Sequence, residues 1–297
     1  MKRITKALLL SVFLTAVPAA YAVNGHYVPG VEGIRGGSVP PPGLYYRGYV
    51  VNYSGDNLID GGGDAVPGSN TADISAFASR LIWITDKQLL GAQYGAEVIA
   101  MYTDVSLDFT ALGVDDDEKG WGDIFVAPLI LTWREKEWDA SVELGYWFDT
   151  GDFDPTKPAS TGKGFGNTMI SVGGTRHLNA DQTWSLSAIS RYEIKAKQDK
   201  TNVTPGDSWL VEWALSHRLP SGLELGLAGY NGWQLEKNSG VAPGAPNPKI
   251  EKHAIGAEVG YFWPSFGLAL NGAYYNEYGN KATTEGDLFR ATLTKRF

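Results

Sequence analysis

No cysteine occurs among the 297 residues, which excludes disulfide frameworks, thiolate metal sites and cysteine nucleophiles. Positive charge is in the minority, with 25 Lys and Arg against 33 Asp and Glu and a formal net charge of −8. That balance leaves no cationic surface to neutralise phosphates, so nucleic acid is excluded as a partner. Long apolar runs are missing too. The longest, residues 7–20, falls short of the about 20 residues that a membrane-crossing helix needs. What the chain does have is 37 glycines, 10 tryptophans, 15 tyrosines and 11 phenylalanines, yet its mean hydropathy is only −0.19. So many large aromatic residues exclude intrinsic disorder.

The N-terminus has the pattern of a secretory signal peptide over residues 1–22. Lys2, Arg3 and Lys6 precede the apolar run, and Ala20, Tyr21 and Ala22 give a small-x-small cleavage site. Its removal takes away three cations and no anions, so the exported chain is more acidic still. At the other end, Phe289, Ala291, Leu293 and Phe297 share one face at period two, opposite Arg290, Thr292, Thr294 and Arg296. Lys295 interrupts neither face's parity but adds a charge to the apolar row. This end resembles the last strand of bacterial outer-membrane barrels, whose terminal aromatic is read by the barrel-assembly machinery; Phe297 stands in that place.

Period-two alternation runs through the middle of the chain, as in Trp138, Ala140, Val142, Leu144, Tyr146 and Phe148 against Asp139, Ser141, Glu143, Gly145 and Trp147. A sandwich and a barrel both give this pattern, and connection lengths separate them. Strands are expected at about 44–54, 72–84, 89–104, 121–134, 137–150, 165–178, 182–197, 206–218, 222–236, 250–263, 266–278 and 285–297. The breaks between them alternate long and short, starting with a long 55–71, a short 85–88 and a long 105–120. An even strand number with short turns on one side and long loops on the other predicts an all-β fold, a transmembrane antiparallel barrel of about twelve strands over residues 44–297. Trp83, Trp121, Trp133, Trp138, Trp184, Trp209, Trp233 and Trp263 lie near strand ends, where indole rings form girdles at the headgroup level. Lipids and lipopolysaccharide of a bacterial outer membrane are the expected surroundings.

If one face meets lipid, the other lines a lumen. Alternation puts Arg80, Glu97, Glu143, Arg191, Glu193, Glu212, Glu258 and Arg290 inside, with Gln234 and Asn271. Charges in mid-strand need partners or water. Their mixed signs predict cross-strand ion pairs that brace the wall, and the same groups are candidates for guiding a solute. Residues 23–43 are neither signal nor strand and carry the stiff run Pro40, Pro41 and Pro42. Two fates are open to them, a free periplasmic lead or a plug in the lumen; His26, Tyr27, Val28, Val31 and Ile34 are the candidate plug contacts.

Catalysis has little to stand on. Ser216 directly precedes His217, and adjacent strand residues point to opposite faces; His177 and His253 bring no partner motif. Two acidic runs, at 115–118 and 149–154, offer oxygen ligands of the kind calcium prefers but lack the spacing of a calcium loop. No metal or cofactor is expected, and no enzyme activity.

The segment NGHYVPGVEGIRGGSVPPPGLYYRGY at 24–49, the DTGDF loop at 149–153 and the aromatic terminus resemble a family of outer-membrane barrels named for the meta-pathway of phenol degradation. The resemblance spans the mature chain and implies passive passage of small hydrophobic, aromatic (phenol-like) solutes. The alternative is a sealed structural or adhesive barrel whose long loops bind partners.

Overall fold

The computed structural model describes residues 25–297. The expected signal peptide at 1–22 and the first two residues of the extension lie outside the described residues. Thirteen strands follow one another: β1 (Gly43–Ile59), β2 (Asn70–Leu89), β3 (Ala92–Phe109), β4 (Val114–Trp121), β5 (Ile124–Arg134), β6 (Trp138–Phe148) and β7 (Asn167–His177) come first. They continue as β8 (Trp184–Lys195), β9 (Ser208–Arg218), β10 (Leu223–Gln234), β11 (Glu251–Trp263), β12 (Leu268–Glu277) and β13 (Thr283–Arg296). Consecutive strands pair antiparallel, except that β4 and β5 both pair with β3, and β1 pairs with both β2 and β13, so the sheet closes on itself. Closure lets the strands of the wall satisfy one another's backbone without water, the condition for crossing hydrocarbon.

β4 and β5 form one interrupted wall element. Both pair with β3, β5 over Gln93–Ile99 and β4 over Tyr102–Phe109, so the barrel is twelve strands around, as expected. The interruption at Gly122 and Asp123 frees the Asp123 carboxylate from the pleat. It accepts hydrogen bonds from the Thr150, Gly151 and Lys163 backbone N–H groups, tying the β6–β7 loop to the wall.

Two expected loops are shorter than anticipated. β1, β2 and β3 continue well past the expected ends, leaving residues 60–69 as one loop and a tight turn at 110–113 where 105–120 was expected to be loop. The reason is a reversal of polarity along the strands. Lower down, Val50, Phe77 and Tyr102 are exposed on the outer face, where lipid lies. Higher up the outer face turns polar, with Asn52 bonded to Ser75 and Ser54 to Asp73, while Val51, Tyr53, Leu58, Ala72 and Phe109 are buried inside. The extensions stand in water, so their apolar side faces inward. The acidic run at 115–118 lies on β4 instead of a loop; Asp116 accepts the Ala159 N–H, and Glu118 pairs with Lys157 at 2.9 Å.

The expected tryptophan girdles face outward: Trp83, Trp121, Trp138, Trp184 and Trp209 are exposed. At the C-terminus Phe289, Leu293 and Phe297 face out, while Arg290 and Thr292 are buried. An outer face of this kind on a closed antiparallel barrel places the protein in the bacterial outer membrane.

Candidate functional site

Residues 25–42 run through the inside of the barrel, from the long-loop end at His26 to the short-turn end at Ser38. They form no strand, so their backbone groups must find partners elsewhere. Lumen carboxylates provide them. Glu193 accepts the His26 and Tyr27 N–H groups at 3.1 and 3.3 Å, Glu212 the Glu32 N–H at 3.1 Å, and Glu258 the Ile34 N–H at 2.9 Å. Further down, the Gly37 N–H donates to Ser187 at 3.1 Å and the Ser38 hydroxyl to Asp139 at 2.7 Å.

Side chains add to this. His26 stacks on Trp147, meets the edge of Phe165 and lies 3.0 Å from the Asp123 carboxylate. The Tyr27 hydroxyl donates to Glu212, and the Arg191 guanidinium lies over its ring, 4.2 Å from the centroid. Ile34 is buried in a cluster with Tyr49, Tyr53, Tyr230 and Tyr275, against which Val28 and Val31 also pack. Glu32 is the hub: Arg80, Arg47 and Arg191 reach its carboxylate at 2.7, 2.8 and 2.9 Å.

All eight lumen candidates are inside, though they pair differently from the expectation. Arg80 and Glu97 do form a cross-strand pair at 2.6 Å, and Glu143 stands 3.6 Å from Arg191. Arg290 and Glu258 pair at 2.7 Å across two strand spacings. Glu212, by contrast, spends both oxygens on Tyr27, Glu32 and Gly33, and Glu193 divides its own between His26 and Tyr27 of the segment and Asn167 and Ser208 of the wall. Glu32, Arg47 and Asp123 were not among the sequence candidates. Arg47 shares the inward parity of Tyr45 and Tyr49 and could have been found by counting; nothing local marks the other two.

Burial by itself would raise the Glu32 carboxyl, but Arg80, Arg47 and Arg191 outweigh it and hold the group well below the usual carboxylate range. A depressed folded value contributes stability that is present above the unfolded value and lost as pH falls through the folded one. The Glu32 contribution should therefore be intact at neutral and mildly acid pH, and disappear only below the ordinary carboxylate range. Thermal unfolding of wild type and Glu32→Gln at stepped pH checks this. The gap between them should narrow only at the acid end; a gap that closes already between pH 7 and 5 contradicts the assignment.

Four voids border the segment: one of about 100 Å³ lies to the side, between Gly25, Tyr27 and Pro29 and the wall at Trp209 and Ile250, and three follow one another along it. The outer one, about 250 Å³, is walled by the inverted strand extensions and includes Val51, Tyr53, Met101, Val105 and Leu107. A small central void of about 60 Å³ shares Tyr27, Val28 and Met101 with it. The inner void, about 280 Å³, shares Glu32, Arg80 and Arg191 with the central one and opens among Arg35, Arg47 and Arg134. Both large voids are mostly apolar in lining; the outer one carries Lys163, Lys252 and Glu277, and the inner one Glu32 with several arginines. The Thr103 hydroxyl has no protein partner although its side chain lines the outer void.

Catalytic geometry is poor. Ser216 is buried inside while His217 stacks on Trp184 outside. His177 approaches Ser185 at 3.1 Å, but Asp139 stays 3.7 Å away and the serine is 1 % exposed. His253 bonds to Asn231 near Trp233.

The fold is that of known outer-membrane barrels. An outer membrane channel from Pseudomonas putida F1 superposes with a TM-score of 0.76 at 12% identity, covering 91% of this chain and 100% of that one. The β domain of the Bordetella autotransporter BrkA gives 0.51 at 13% identity, covering 87% and 100%. No curated protein sequence matches the chain. Residues 55–293 match the family model described as "Putative MetA-pathway of phenol degradation", and the chain belongs to that family.

Proposed function

We propose that the protein is a passive outer-membrane channel for small hydrophobic, aromatic solutes, with residues 23–43 as its constriction. The observation that carries this is the apolar outer void. Strand extensions that stand clear of the bilayer turn their apolar side inward, which gives a hydrophobic solute a mostly apolar place to enter. The family's association with phenol degradation and the channel from Pseudomonas putida support the same reading. Flux follows the concentration gradient, since no nucleotide-binding motif is present in the sequence. The proposed role is passage, not catalysis. Lipids and lipopolysaccharide surround the barrel in this reading, and Phe297 is the feature presented to the assembly machinery.

Uptake of labelled phenol into liposomes that hold the purified barrel tests the proposal. Uptake above empty liposomes, and faster once residues 23–41 are deleted, is the expected outcome. Absence of uptake in both forms leaves the sealed adhesive barrel as the better reading.

A further inference from the structure

Three guanidinium groups converge on a single carboxylate, and that carboxylate belongs to the threaded segment, not to the wall. Arg47, Arg80 and Arg191 come from β1, β2 and β8, and all three reach Glu32 within 3 Å. Among the described residues, the wall carboxylates Glu97 and Glu143 are the other acidic groups within 4 Å of these arginines. Counted as formal charges, three guanidinium groups face three carboxylates while Glu32 is present, and one guanidinium is in excess once it leaves. A buried cation left without its partner is strongly unfavourable, so Glu32 can leave readily only when another anion takes its place.

The surroundings suit such an exchange. Arg47 Nε and Arg191 Nε are buried with no hydrogen-bond partner among the described residues, so donors remain for an additional acceptor oxygen. The inner void reaches all three arginines and has apolar wall beside them at Tyr45, Ile82, Ile130 and Ile189. Guanidinium groups bind carboxylates through paired, charge-assisted hydrogen bonds, and an attached ring would lie on the apolar wall.

We propose that Arg47, Arg80 and Arg191 form a carboxylate-binding site that Glu32 fills as an internal stand-in, and that the solute able to displace it is an aromatic monocarboxylate. This rests on the channel reading and narrows its substrate class. The segment then yields to the solute by exchanging one carboxylate for another.

Chemical rescue of the full-length protein in detergent tests the site without any flux. Glu32→Ala should unfold at a lower temperature than wild type, and benzoate should raise its Tm with the logarithm of concentration. Benzamide and benzyl alcohol, of the same shape but uncharged, should bind at least about tenfold more weakly. Chloride at matched ionic strength should do no more than they do. Benzoate rescue no greater than that of benzamide or chloride overturns the proposal. Should Glu32→Ala fail to refold, Glu32→Gln keeps the shape and weakens the hold. Benzoate should then quench its tryptophan fluorescence at lower concentration than in wild type, and equal concentrations overturn the site. Rescue without liposome uptake would count against the channel and leave the site standing, whereas phenol uptake without rescue would do the reverse.

Discussion

Replacement of Arg290 by alanine should destabilise the folded barrel by about 3–5 kcal/mol, the usual cost of breaking a buried ion pair from one side. Arg290 is 0 % exposed and its partner Glu258 carboxylate 1 % exposed by side chain, 2.7 Å apart. Arg290 also donates to the Val31 carbonyl at 2.8 Å, and Glu258 accepts from the Ile34 N–H and from Asn271. One deletion thus strands the Glu258 charge and removes a support from the segment. The double change Arg290→Met with Glu258→Leu should recover much of the loss, because no unpaired charge remains. It should not recover all, since the Val31 carbonyl and Ile34 N–H are left without partners at about 1–3 kcal/mol each. Denaturant midpoints of the two variants against wild type in the same lipid or detergent give the comparison. A single variant within about 1 kcal/mol of wild type would show that water reaches the site and that the pair is not a dry one.

Wall and segment differ in how legible they are from sequence. The wall follows from period two, because each strand residue faces one of two environments fixed by parity; this places Glu193, Glu212 and Arg290 inside without any knowledge of partners. Connection lengths separate barrel from sandwich for a similar reason, since only a spanning barrel sorts its loops by side. The errors occur where the environment changes along a single strand. From Val51 to Gly55 alternation persists, shifts by one residue at the bulge at Asp56 before Leu58, and persists again from Val105 to Phe109, but the apolar face is the inner one because the strands have left the bilayer. A reading that seeks a lipid-facing stripe ends the strand there.

Pairing is a different kind of information. Glu32 meets Arg191 across 159 positions of sequence and Ile34 meets Glu258 across 224, and no local pattern encodes such meetings. The composition of the segment did carry a hint. Glycine and proline leave a backbone that cannot pair with a strand, and several lumen carboxylates are ready acceptors for its N–H groups. Asp123 is harder still. Its role depends on a break between β4 and β5 that is visible only once β3 is seen to pair with both.

On the proposed channel reading, a single methyl group at Gly37 should open the lumen. Gly37 lies flat on β7, where an added Cβ would fall 2.2 Å from the Gly174 carbonyl oxygen and 2.4 Å from the Gly174 carbonyl carbon and nitrogen. Those atoms belong to a strand held by neighbours on both sides, so the segment must lift instead. Lifting breaks the Gly37–Ser187 and Ser38–Asp139 hydrogen bonds, the last ties before the stiff proline run. Overpacking of this kind costs about 1–3 kcal/mol, and every 1.4 kcal/mol shifts a population about tenfold. Gly37→Ala should therefore raise the open fraction by roughly ten- to hundredfold, read as channel conductance in planar bilayers, with deletion of residues 23–41 as the upper limit. Gly174→Ala separates this effect from general damage to β7. There the new Cβ would meet the Asp139 carbonyl oxygen at 3.3 Å, and no atom of the segment is among its near neighbours, so conductance should stay close to wild type. Equal conductance of Gly37→Ala and wild type, with both barrels folded, would mean that contact with β7 does not hold the segment in place, and the hold would then lie with its other contacts, at the Glu32 hub, Glu193 and Glu258.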